Sequence, residues 1–294
     1  MKRAVATEGG ISLRLAYNEA TCKQRSSLEQ DLDLCVKHGV QEIELRFDML
    51  DRYLESHSRE QLAALLRAKD VRPITLNAIF NINFCDEAQW NSIQAQFRRA
   101  CEFGSLLGAN CVIILPSVME GGQLPPWESI LDDTVRNLKA LAKLGGETGM
   151  RIAFEPIGDP SRCVRSIRES WEVVRRIDDP SIGLALDAYN LYLHRGLADV
   201  EDILQIDPER IFIVHVDDAN ENVPLNRLGT FDRVLPGDGA IDLNSFVRAI
   251  DETGYAGAYS VEILNQEYWR LPPEALFAEA IEKTKKALSC IERK

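Results

Sequence analysis

An eightfold alternation is the feature that most limits what this chain can fold into. Short aliphatic and β-branched runs (SLRLAY, QEIELRF, RPITLN, CVIILP, RIAFEP, IGLALDA, RIFIVHVDD and AYSVEIL) are separated by longer segments whose apolar residues recur at helical spacing. In residues 86–108, Trp90, Ile93, Phe97, Cys101 and Leu107 mark one helical face, with Gln, Arg and Glu between them. Segments 27–38, 58–69, 127–148, 165–178, 199–206, 242–253 and 273–291 complete the predicted helices, the one at 199–206 being short. Strands that alternate strictly with helices are joined by crossovers and therefore lie parallel. Eight such units in 294 residues predict an α/β fold, one closed (β/α)8 TIM barrel forming a single domain over 1–294. An open doubly wound sheet would carry a Gly-rich phosphate turn after its first strand, where this chain has LAYNEATCK. Residues 1–10 belong to no element and are expected to be a flexible N-terminus.

Charge and composition exclude several functions. Lys and Arg number 34 against 46 Asp and Glu, a net charge of −12, and the basic residues are scattered, so no nucleic-acid partner is expected. Charge interrupts every hydrophobic segment well before the ~18 residues of a membrane span. The opening MKRAVATEGG lacks an apolar signal core, so the expected location is the cytoplasm. Seven widely spaced cysteines, an odd number without a CxxC pair, read as reduced thiols and not as a disulfide framework or a thiolate metal site. An oligomer is compatible with the sequence, but nothing in it specifies one.

In a barrel the active face is built at the C-terminal strand ends. The last four strands finish with Glu155 in IAFEP, Asp187 in LALDA, His215 in IVHVDD and Glu262 in SVEIL, at spacings of 32, 28 and 47 residues that allow all four to reach one height. Residues two apart on a strand share a face, and Ala153, Ala185 and Ser260 lie beneath the three acids. Such small residues leave room for inward carboxylates, whereas Phe154, Leu186 and Val261 suit the helix-covered side; Ile213 beneath His215 fits less neatly. Any one of the four could be an interior ion-paired group. Together, with one of only four histidines among them, they form a mostly oxygen site for one divalent ion such as Mn²⁺, Co²⁺, Mg²⁺ or Zn²⁺. With a coordination position open, such an ion holds a carbonyl and the adjacent hydroxyl and stabilises an enediolate, which implies a sugar-like ketone as substrate.

This pattern resembles the xylose isomerase-like barrels, sugar isomerases, epimerases and dehydratases whose metal is held by Glu, Asp, His and Glu of the last four strands. The resemblance runs from LAYNEAT to the final helix. Within that family, YNEAT, LDLCVKHG, IELR, LNAIFN, FIVHVDD, DRVLPGDGAIDL and SVEIL, in this order, are similar to the bacterial inosose isomerases (2-keto-myo-inositol isomerases) of inositol catabolism. The resemblance implies that Glu155, Asp187, His215 and Glu262 bind the metal, that Glu155 and Glu262 are catalytic and exchange protons from opposite sides of the substrate, and that Arg233 binds substrate. The implied reaction moves a keto group between adjacent carbons of an inosose or similar polyol ketone. Ketose epimerisation and inosose or dehydroshikimate-type dehydration are alternatives on the same metal site.

One departure stands out. Three residues after the strand-six Asp the family usually has His, whereas DAYN places Asn190, which can hydrogen-bond a hydroxyl but cannot titrate near neutrality. His194, four residues on, either takes over that part or is an ordinary surface residue. Glu44, between Glu42 and Arg46, reads as an inward ion pair or a substrate contact. Asn18 and Asn77, at the ends of strands one and three, bind hydroxyls or cap the following loops. Asp217 shares a face with His215, and either it or Asp218 orients a ligand or binds substrate. Two connections are longer than a barrel needs: residues 80–86, and residues 218–240, expected to be an irregular active-site loop because of their Asn, Gly, Pro and Asp content. Two other classes fit worse. A DNA-cleaving zinc phosphodiesterase needs several histidines and a basic groove, and a non-catalytic sugar-binding protein would keep the metal set without turnover.

Overall fold

How the apolar runs pair decides the architecture. In the computed structural model, which describes residues 13–119, 121 and 123–291, the barrel strands are β1 (Arg14–Asn18), β2 (Glu42–Arg46), β3 (Arg72–Ile79), β4 (Cys111–Ile114), β5 (Arg151–Phe154), β6 (Ile182–Asp187), β7 (Ile211–Val216) and β10 (Ala258–Val261). They close in the order β1-β10-β7-β6-β5-β4-β3-β2, every pairing parallel. The remaining pair, β8 (Asp218–Ala219) and β9 (Arg233–Val234), is an antiparallel ladder inside the long loop after β7. The N-terminal stretch 1–10 lies outside the described residues. No helix among the described residues is long and apolar enough to cross a membrane.

The two-residue period of each strand divides the core in two. Ala16, Cys111, Ile113, Ala153, Ala185 and Ile213 fill the barrel interior, while their neighbours Tyr17, Val112, Phe154, Leu186 and Val214 pack outward under the helices. Most predicted helices form close to their expected bounds: α1 (Leu28–His38), α3 (Arg59–Lys69), α4 (Glu87–Leu107), α5 (Trp127–Gly145), α6 (Ile167–Ile177), α8 (Leu243–Thr253) and α9 (Pro273–Leu288). Side chains of Ser27, Ser58, Asp86, Ser166 and Asp242 cap the N-termini of α1, α3, α4, α6 and α8 by accepting from the third backbone N–H.

The expectation for 199–206 needs correction, because Val200–Gln205 is a 3-10 helix that buries only Ile203. Two short helices had no counterpart in the sequence reading. α2 (Phe47–Leu54) begins directly from β2 and buries Met49, Leu50 and Tyr53, a spacing too short to stand out from the loop. α7 (Ala188–Tyr192) begins directly from β6, capped by Asp187. β3 continues to Ile79, so Asn77 lies inside the strand and not at its end.

Beneath the β1 end, burial holds two carboxyls away from water. Glu19 accepts from the Arg46 N–H at 2.7 Å, and Asp31 lies 3.5 Å from the Tyr17 hydroxyl, each with one oxygen left unpartnered. Burial pushes Asp31 up to about 8, against the lowering effect of Ser26, Tyr17 and Arg52. A carboxyl whose folded value lies above its unfolded one contributes stability in full below about pH 4 and loses it as pH rises towards about 8. Asp31→Asn is therefore expected to flatten this decline and to raise the unfolding midpoint at pH 8.5 by a few degrees, at roughly 2–4 °C per kcal/mol. Thermal unfolding of both proteins between pH 5 and 8.5 checks it; parallel curves would rule Asp31 out as the titrating group.

Candidate metal centre

At the C-terminal end of the barrel, four side chains from four successive strands converge. Glu155 and Glu262 follow directly on β5 and β10, while Asp187 and His215 are paired neighbours on β6 and β7. Each offers one ligand atom, and these atoms all lie within 4.8 Å of one another with every residue buried. His215 Nδ1 faces the acids, 3.1 Å from Glu262 Oε2, 3.5 Å from Asp187 Oδ2 and 4.0 Å from Glu155 Oε1. The small residues beneath make the geometry: Ala153 and Ala185 belong to the interior core, and Ser260 pairs in register with His215.

Each ligand is fixed by its other contacts. Asp187 Oδ1 caps α7 by accepting from the Asn190 N–H at 2.6 Å, which frees Oδ2 to face the centre. Glu155 Oε1 accepts from Asn190 Nδ2 at 2.5 Å, and Glu262 Oε1 accepts from Asn18 Nδ2 at 3.1 Å. On the far side of the imidazole, Nε2 lies 3.1 Å from Glu44, whose carboxylate also accepts from Asn18, Thr75 and Asn77. Glu44 thus forms a buried inward ion pair, across the barrel and not within its own strand. Arg46 pairs with Asp48, Glu42 with Arg14, and the ionic partner of Glu44 is His215.

These contacts leave two buried atoms, Asp187 Oδ2 and His215 Nδ1, with no hydrogen-bond partner. Orphaned acceptors in a cluster of carboxylates suit a divalent cation. The electrostatics agree. Burial alone would lower the His215 pKa, but Glu44 and Glu262 outweigh it and hold it well above the usual imidazole range. Burial, with Asp187 and Glu262 adding to it, pushes Glu155 up to about 8. For Asp187 the burial effect is overcome by Arg233 and His215, and its pKa falls. Ligation requires a neutral imidazole and ionised carboxylates, so a cation entering here displaces protons. The four residues could hold one divalent metal ion.

The centre opens into a cavity of about 260 Å³, lined by Glu155, Glu262, Asn77, Asn190, Arg233 and, at its outer end, residues of the surrounding loops. Arg233 is 3% exposed and heavily committed. Its Nε donates to Asp217 at 2.7 Å and one terminal nitrogen donates to Asn190 at 2.9 Å, the same nitrogen lying 3.5 Å from Asp187, while the other donates to the Thr230 carbonyl at 3.0 Å. Asp217 also accepts from the Tyr189 N–H, so it anchors Arg233 and α7. Asp218 faces away from the centre. Its carboxylate accepts from the backbone N–H groups of Ala219, Gly237, Gly239 and Ile241 and ties the two ends of the 218–240 loop together. A Cβ on Gly239 would lie 2.2 Å from the Ala219 carbonyl oxygen, which is why glycine stands there. The loop is accordingly more regular than its composition suggested, with the β8–β9 ladder at its base and a 3-10 turn at Leu225–Arg227. His194 faces Asp199 at 4.0 Å and is not among the cavity-lining residues.

Comparison with known proteins agrees with this architecture. A family model described as xylose isomerase-like TIM barrel matches residues 32–287. An inosose isomerase of Bacillus velezensis is 34% identical over 278 residues, 94% of this chain and 98% of the relative. One of Bacillus subtilis is 36% identical over 275 residues, 93% and 96% of the two chains. Among solved structures, the 1.8 Å crystal structure of IolI protein with a binding zinc atom superposes with a TM-score of 0.90 at 34% identity, covering 94% of this chain and 98% of that one.

Proposed function

The chain belongs to the xylose isomerase-like TIM barrel family, and from that premise we propose that it is a metal-dependent inosose isomerase, moving a keto group between adjacent ring carbons. The observation that carries the reading is the four-residue cluster with its two orphaned inward atoms, opening into a cavity whose wall includes both Glu155 and Glu262. A divalent ion held by Glu155, Asp187, His215 and Glu262 would polarise the carbonyl and offset the negative charge that develops on its oxygen. In our reading one of the two glutamates takes the proton from the carbinol carbon, and a proton is delivered to the former carbonyl carbon from the opposite side. The hydroxyl proton moves to the other oxygen, so the shift is redox-neutral and needs no external oxidant, and proton exchange of the carboxyls with solvent restores the starting state. Asn190, hydrogen-bonded to both Glu155 and Arg233, orients the base where a histidine is usual, and holds no titrating proton itself. Arg233, anchored by Asp217, presents its guanidinium to the substrate cavity. Free thiols at all seven cysteines agree with a cytoplasmic setting.

Turnover of inososes in D₂O tests the assignment. The expected product is the isomeric ketone with deuterium at the carbon that began as the carbonyl. Loss of water to a conjugated enone would make the enzyme a dehydratase, and no exchange on any inosose would remove the isomerase reading.

A further inference from the structure

Beyond the metal, the cavity wall changes character. The chain as a whole carries −12, yet the cavity wall includes Lys23 and Arg46 on the β1–β2 side and Arg162 from the loop after β5, with Asp159 as the lining acid outside the metal centre. Asp159 Oδ1 is already engaged by the Ser161 N–H and hydroxyl. Arg46 pairs with Asp48, and Arg162 donates to the Pro116 carbonyl at 2.8 Å. Lys23 has no carboxylate ion-paired to it among the described residues. Its Nζ sits 4.4 Å above the Trp269 ring, and Trp269 is itself fixed by donation from Nε1 to the Ala20 carbonyl at 3.0 Å. Lys23 is half-buried, and its backbone takes φ +48°, a conformation that residues other than glycine rarely adopt. Burial and the nearby Arg46 draw its pKa down while Asp48, the carboxylate paired to Arg46, pulls the other way, so the two cations share one counter-charge.

A solvated surface lysine would swing clear of a second cation; this one is stacked in place at the cavity wall. Lysine and arginine are donors only, so the wall at Lys23 and Arg46 offers hydrogen-bond donors and positive charge. Neutral hydroxyls both donate and accept, whereas carboxylate and phosphate oxygens only accept. We propose that Lys23, with Arg46, forms an anion-accepting part of the substrate-cavity wall, so that the site takes polyol-like rings bearing a carboxylate or a phosphate as well as neutral ones. The proposal rests on the reading of the metal centre as the reacting end of the same cavity.

Equilibrium binding to the metal-loaded protein tests it, with myo-inositol, quinate and myo-inositol 1-phosphate as neutral, carboxylate and phosphate probes. At least one anionic probe is expected to bind tenfold or more tightly than myo-inositol, with an advantage that shrinks in high salt. Preference for quinate alone assigns the site to carboxylates, and preference for the phosphate alone assigns it to phosphates. In Lys23→Met that preference ratio is expected to fall at least fivefold, and in Lys23→Arg to persist. Equal affinity for all three probes overturns the proposal. So does a preference unchanged in Lys23→Met, which would mean that the metal itself holds the anion. The keto shift in D₂O is scored separately: anion preference without a keto shift removes only the isomerase reading, and a keto shift without anion preference removes only this one.

Discussion

Glu262→Gln, assayed at saturating metal, is expected to stay folded and to lose about 10²–10⁴ in kcat, the range for a positioned acid–base group. Glutamine keeps the volume of the side chain and can still receive the Asn18 amide that now donates at 3.1 Å. It loses the charge that faces His215 Nδ1 at 3.1 Å and the ability to take a proton from a carbon in the cavity it lines. Saturating metal separates the two losses, since weakened ligation is overcome by mass action and a missing base is not. Glu155→Gln should fall in the same range, its amide competing with Asn190 for the position now bonded at 2.5 Å. Near-normal turnover by either variant under saturation would take that residue out of proton transfer.

Glu44→Gln should weaken metal binding by about 10–100-fold without removing a ligand, the usual effect of altering the partner of a metal-bound histidine. Glu44 is fully buried, and although burial raises its pKa, His215 with Thr75 and other donors draws it down to about 2, so it stays ionised. With a metal bound the imidazole would be neutral, and a carboxylate at 3.1 Å would keep its one proton on Nε2, leaving Nδ1 as the ligand atom beside the three acids. The neutral amide can present either its oxygen or its NH₂ group, and the imidazole is no longer held to one tautomer. Competition against a chelator of known affinity measures the change, with circular dichroism to verify the fold. Unaltered affinity would reduce Glu44 to a hydrogen-bonded interior residue.

The contrast between these residues shows what a sequence makes legible. The ligand set could be read because each member ends a recognisable strand and the strand period assigns its face. Glu44 ends no strand, and its partner lies 171 residues away, so only closure of the barrel between β1 and β10 brings the two together. The same holds for Asp217 and Arg233, whose pairing depends on the β8–β9 ladder folding the loop back on itself. α2 and α7 escaped notice because they start within a residue of a strand, with no turn residues to announce them. The NEATCK stretch contained Lys23 in plain view, but its significance comes from Trp269, brought over from near the other end of the chain.

The four backbone bonds gathered by Asp218 make the root of the long loop as firm as a strand pairing, and they lie below the segment between Asn220 and Asp232. What projects above that root is in effect a removable cassette: Gly229 to Phe231 at the cavity edge, with Leu225 to Arg227 farther out. Segments of different length could be grafted between the fixed ends without disturbing His215 at the end of β7. Exchanging the cassette would alter what enters the cavity and would cost Arg233 its bond to the Thr230 carbonyl, while the four residues of the metal centre keep their places at the strand ends.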